Sequence, residues 1–128
     1  MTERRPAWSW LFFVQLALVV LATVLATRGA LPTTVFRAPF DKVGHLGAYG
    51  LLSFLAVSFF GYARRWPVVM WLLVAAMAEE MSQTPFPTRA FDLGDLAMNV
   101  FGICVFGALA VALQVRAGAG GPARDAGR

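Results

Sequence analysis

Residues Ala7 to Thr27 read AWSWLFFVQLALVVLATVLAT, and that stretch decides the class of fold. It carries no charged residue, and its few polar side chains make no polar face, so a helix built from it offers water very little. At about 1.5 Å rise per residue, roughly 21 residues cross a hydrocarbon core of about 30 Å. Arg4 and Arg5 precede the run and Ala26-Thr27-Arg28-Gly29-Ala30 ends it, an order shared with cleaved signal peptides. The run is longer than the usual apolar region of such peptides, about 7 to 15 residues, and reads as a retained first helix.

The rest of the chain extends the pattern. Of 128 residues, 59% are hydrophobic and 14% charged, against about 45 to 50% and 25% in soluble domains. The apolar residues come in long runs, which argues against a water-soluble fold. The net charge is +4, but the bases stand in pairs at segment ends rather than along a stripe, which argues against nucleic-acid binding. The lone Cys104 excludes an intramolecular disulfide and a Cys-rich metal site, and its apolar neighbours predict inert packing. No internal repeat is detectable.

Between Arg28 and Phe40, Gly29, Pro32 and Pro39 interrupt helix. A second run from Asp41 to Ala63 opens on an acid that can cap a helix N-terminus. Arg64 and Arg65 close it, and a third begins at Trp66 and Pro67. That run is apolar to Ala78 and continues through Glu79, Glu80, Ser82 and Gln83, polar groups that must sit near the interface or face other helices. Thr84 to Phe91, with Pro85 and Pro87, breaks the helix and is expected along the membrane surface. A fourth run starts around Asp92 and ends near Val115, with Gly102 and Gly107 able to bring helices close.

The expected fold is thus all-α, an integral membrane four-helix bundle over residues 7–115, with spans of about 7–27, 42–63, 66–83 and 92–115. Residues 1–6 and a disordered tail, 116–128, flank it. Arg4, Arg5, Arg64, Arg65, Arg116, Arg124 and Arg128 then fall on one side, against Arg28, Arg37, Lys42 and Arg89 on the other. The positive-inside rule places both termini in the cytoplasm, and Trp8, Trp10 and Trp66 fit an aromatic belt at that boundary.

This topology gathers Asp41, Lys42, His45 and Tyr49, Glu79, Glu80 and Gln83, Arg89, and Asp92, Asp95 and Asn99 at the outer end of the bundle. Asp41, His45 and Tyr49, four apart, Glu80 and Gln83, three apart, and Asp92, Asp95 and Asn99, three and then four apart, form sets that each share one helix face. Taken singly, each has a bland reading: Asp41 and Asp92 as caps, Lys42 as a snorkelling cation, Tyr49 as a belt aromatic, Arg89 as a headgroup anchor, His45 as a hydrogen-bonded structural residue. Taken jointly, so many polar types at one membrane level exceed what caps require and point to a functional pocket.

Three blocks, Asp41-Lys42-Val43-Gly44-His45-Leu46-Gly47-Ala48-Tyr49, Glu80-Met81-Ser82-Gln83, and Pro87 through Gly102 (PTRAFDLGDLAMNVFG), carry a resemblance to VanZ-like proteins over residues 41 to 107. Thr88 departs from the family pattern, in which glycine often precedes the arginine. The resemblance implies a multi-span bacterial cell-membrane protein, in a family named after an accessory protein that lowers susceptibility to teicoplanin. It supplies no reaction, substrate or cofactor.

Three functions compete. In the first, the outward pocket binds a membrane lipid, a lipid-linked cell-wall intermediate or a glycopeptide, with Arg89 and Lys42 pairing phosphate while Glu80, Asp95 and Asn99 orient them. In the second, a hydrolase or transferase acts on a lipid-linked phosphate or acyl group, with His45 as general base or acid, Glu80 or Asp95 orienting it, and Arg89 stabilising charge. In the third, the cluster only ties helices together, and the small-residue faces at Gly44, Gly47, Gly102 and Gly107 pack helices or a partner such as a second copy in a homo-oligomer. Ser82 lacks a nucleophile elbow, one His with carboxylates is thin support for a metal, and nothing calls for a cofactor.

Overall fold

The structure, a computed structural model, describes residues 6–32, 34, 37, 39–83 and 91–119. Four α-helices make up the architecture: α1 (Leu11–Thr27), α2 (Phe40–Phe60), α3 (Arg65–Gln83) and α4 (Leu93–Ala119). Among the described residues there is no strand. A 3₁₀ turn at Ala7–Trp10 leads into α1, and another at Tyr62–Arg64 joins α2 to α3.

α2 is the central helix, packing most extensively on α4 and also touching α1 and α3. Its face toward α4 is made of small groups. A Cβ on Gly102 would stand 2.6 Å from the Leu46 carbonyl oxygen and 3.0 Å from the Gly50 nitrogen, so the two backbones meet there. Below that crossing the Ser53 hydroxyl donates to the Ile103 carbonyl at 2.9 Å, in the space left by Gly107. The contact expected of Gly102 and Gly107 is therefore present. Gly44 and Gly47 differ, because a Cβ on either would meet no atom within 4 Å.

The core runs through Tyr49, Leu52, Leu55 and Ala56 of α2, Leu72 and Ala76 of α3, Leu96 and Ile103 of α4, and Phe12 of α1. At one end aromatic rings pack together: Phe12 stacks 5.8 Å from Phe59 and meets Phe60 edge-on at 5.5 Å, and Trp8 of the turn before α1 stacks 5.6 Å from Phe54. The outer surface is apolar too, with Phe13, Leu18, Val20 and Leu21 of α1, Trp66, Trp71 and Met81 of α3, and Phe101, Leu109 and Leu113 of α4 all exposed. In water so continuous an apolar surface would associate; in lipid it is solvated.

Three helical stretches are long and apolar enough to cross a membrane by length and composition: Ala7–Thr27, Phe40–Phe60 and Leu93–Gly118. α3 is helical over the length expected, but Glu79, Glu80 and Gln83 shorten its apolar part. Two of these residues are not offered to lipid: Glu80 is 0% and Gln83 1% exposed.

Several boundaries move. α2 ends at Phe60 rather than Ala63, because Gly61 takes a left-handed φ of 85° that turns the chain toward α3. Its N-cap is Pro39, so Asp41 is not the cap but lies in the first turn, where the helix dipole still favours a carboxylate. α4 begins after Asp92, whose Oδ1 accepts the Gly94 N–H at 2.6 Å, the capping bond expected of that residue. It continues to Ala119, past the expected end at Val115, because Arg116 suits a C-terminal turn and Ala117 extends helix readily. Cys104, expected to pack inertly, is exposed on the outer face of α4 while Ile103 beside it is buried. The expected surface segment at 84–90 and the tail from residue 120 lie outside the described residues, as does the 1–5 stretch.

Candidate functional site

The end of the bundle opposite the stacked rings is polar. There α1 finishes, α2 begins, α3 finishes and α4 begins, so antiparallel packing alone brings four helix termini to one level. Spacing of four residues then aims Asp41 and His45 along one face of α2, and spacing of four aims Asp95 and Asn99 along the facing side of α4.

Side-chain exposure falls from rim to interior. At the rim, Lys42 and Asp92 are 39% and 51% exposed and stand 3.5 Å apart. Lys42 Nζ also donates to Asp95 Oδ1 at 3.2 Å. Lys42 is therefore held between two α4 carboxylates rather than snorkelling to headgroups, because these anions lie within reach of its stem. Gly94 makes room for it, since a Cβ there would stand 2.5 Å from Lys42 Nζ.

Deeper in, His45 is at the centre. Its Nδ1 lies 3.0 Å from Asn99 Oδ1. Because an amide oxygen only accepts, Asn99 as oriented places the ring proton on Nδ1. Nε2 then faces two carboxylates, Asp41 Oδ1 at 3.7 Å and Asp95 Oδ2 at 3.6 Å. Glu80 lies behind the ring, with Oε1 3.9 Å from His45 Nδ1. Among the described residues, neither Glu80 oxygen has a hydrogen-bond partner, and the buried amide nitrogens of Asn99 and Gln83 lack one as well.

Tyr49, one turn further along α2, leaves this set. It is buried rather than a belt aromatic, and its hydroxyl donates to Glu79 Oε2 at 2.6 Å. Thr23 of α1 donates to the other Glu79 oxygen at 2.8 Å, so Glu79 ties three helices. Gln15 of α1 reaches the Ala48 carbonyl at 3.1 Å. Thr23 and Gln15 escaped the sequence reading. The available signal was their spacing, eight residues apart on an otherwise apolar helix, which leaves a narrow polar line toward α2.

A cleft of about 180 Å³ opens between α1 and α2 beside these groups. Val19, Ala22, Ala26 and Phe40 supply apolar walls, and Asp41, His45, Tyr49 and Glu79 a polar end. Gly44 leaves part of that space open.

Of the residues expected in the pocket, Asp41, Lys42, His45, Glu80, Asp92, Asp95 and Asn99 come together. Tyr49 joins through Glu79, and Gln83 is buried on α3, its amide nitrogen bonded to none of the described residues. Arg89 lies outside the described residues. Among the described residues at this end, carboxylates outnumber bases.

Comparison with family models, with curated proteins and with solved structures gives no match for the chain.

Proposed function

We propose that the chain is a VanZ-like multi-pass protein of the bacterial inner membrane, and that it binds an envelope lipid or lipid-linked cell-wall intermediate in the cleft between α1 and α2. The cleft carries this reading: apolar walls suit an acyl or prenyl chain, and the polar groups at one end suit a headgroup. α3 would be the fourth crossing, with Glu80 and Gln83 turned into the bundle. The polar end would face outward and both termini the cytoplasm. Arg89 would be the base for a lipid phosphate, Lys42 at the rim being held by Asp92 and Asp95.

The test fills the cleft. Gly44→Leu adds a side chain where a Cβ meets nothing, so folding is spared while the ligand space shrinks. Native mass spectrometry of wild type purified from a bacterial membrane should show a retained phosphate-bearing lipid, lost in Gly44→Leu and weakened in Arg89→Ala. Retention of the same lipid by both variants would sink the reading.

A hydrolase or transferase on a lipid-linked phosphate or acyl group is the second reading. One observation favours it: Asn99 fixes the His45 ring so that Nε2, the basic nitrogen, is presented beside Asp41 and Asp95. Envelope lipids and peptidoglycan precursors unchanged by His45→Ala would remove it. An effect on teicoplanin susceptibility belongs to the family resemblance, and inhibitory concentrations in a susceptible host expressing the chain would measure it.

A further inference from the structure

His45 Nε2 stands 3.7 Å from Asp41 Oδ1 and 3.6 Å from Asp95 Oδ2. A direct N–H···O bond would close to about 2.7–3.2 Å, so the nitrogen is bonded to neither carboxylate. Two donors each about 2.1 Å from one metal ion at a tetrahedral angle stand about 3.4 Å apart, close to both separations. The ligand atoms of Asp41, His45 and Asp95 all lie within 4.8 Å of one another. We propose that these three side chains form a binding site for a divalent first-row transition cation, with Glu80 as the buried countercharge behind it.

Four features support this. First, the ring is set for it: Nδ1 is engaged by Asn99 Oδ1, and Nε2 is directed at the oxygens of Asp41 and Asp95. A hydrogen bond on the far ring nitrogen is the usual support of a metal-bound histidine. Second, Asp95 is split between partners. Its Oδ1 accepts from Lys42, which leaves Oδ2 toward His45 and holds the carboxylate in place.

Third, Glu80 is a separate observation. Its side chain is 0% exposed, neither oxygen has a hydrogen-bond partner among the described residues, and Oε1 is 3.9 Å from the His45 ring. The carboxylates of Asp41, Asp95 and Glu80 stand around the His45 ring, and Lys42 is shared between Asp95 and Asp92. A carboxylate buried as deeply as that of Glu80 is costly unless a cation offsets it. Fourth, the donor set selects the class of ion. One imidazole with carboxylates suits Zn²⁺, Mn²⁺ or Fe²⁺ better than Ca²⁺ or Mg²⁺, which favour oxygen alone.

Asp41 and His45 also line the α1–α2 cleft. The remaining coordination positions would open there, to water or to an oxygen of whatever occupies the cleft. The site does not depend on the lipid reading, and its test uses no lipid.

The full chain, purified in detergent on a tag free of histidine and stripped with chelator, is titrated with Co²⁺, whose d–d absorption reports coordination directly. Wild type should take up a single equivalent with a visible band that Zn²⁺ displaces. His45→Ala should lose the band, and Asp41→Asn and Asp95→Asn should bind about tenfold or more weakly. Glu79→Gln, outside the ligand set, should bind like wild type. If His45→Ala fails to fold by gel filtration, the two Asp→Asn variants decide. Absence of a band in wild type overturns the proposal, as does undiminished binding by both Asp→Asn variants.

Discussion

Tyr49 shows what a single side chain contributes at the polar end. Its hydroxyl lies 2.6 Å from Glu79 Oε2, while Thr23 holds the other oxygen. Hydrogen bonds to charged groups contribute about 1.5–3 kcal/mol, so Tyr49→Phe should lower stability by roughly that amount. Unfolding in mixed micelles with a titrated denaturing detergent measures it, with Tyr62→Phe as a surface control. A loss below about 0.5 kcal/mol would mean that water replaces the hydroxyl freely. Sequence spacing put Asp41, His45 and Tyr49 on one face of α2, and that alignment was legible. What spacing could not reveal was the partner. Tyr49 meets Glu79 from α3, whereas His45, one turn away, meets Asn99 from α4. Partners separated by 30 and 54 residues in sequence are chosen by how helices cross, not by local pattern.

Glycine positions make the same point for elements. Gly102 and Gly44 both look like small residues on packing faces. Only Gly102 is packed, with the Leu46 carbonyl in the place of its missing side chain. Gly102→Ala must push α4 off α2 and should cost about 1–3 kcal/mol. Gly44→Ala should be neutral within about 1 kcal/mol, since helix propensity favours it and nothing is displaced. The two variants compared in the same unfolding assay test the crossing, and equal behaviour would contradict it. Gly50, whose Cβ would stand 2.8 Å from the Phe106 ring, belongs with Gly102 and was not singled out from sequence. α3 was legible as a helix from its apolar run and early proline. Its polar end was legible as a difficulty, and packing resolves it by burying Glu80 and Gln83 inside the bundle, Glu80 beside His45 of α2.

For the molecule as a whole, orientation is the first thing to measure. The proposed orientation, read from the arginine distribution, has both termini in the cytoplasm. A fluorescent protein fused after residue 128 should therefore be bright, and alkaline phosphatase at the same point inactive. An active phosphatase would reverse the orientation and put the polar end inside. The sequence by itself determined that the chain is helical, that its helices suit lipid, and roughly where each begins. These are local properties, because run length, charge-free stretches and helix-breaking residues act within a few turns of where they stand. It also determined that acids and amides cluster at one end, since alternating helix direction follows from connectivity. Only the tertiary structure decided which of those groups touch. The Nε2 of His45 between Asp41 and Asp95, the buried carboxylate of Glu80 behind it, and the cleft along α1 all depend on distances across helix interfaces. Those distances are set by side-chain volumes on several helices at once, and no single stretch of sequence contains them.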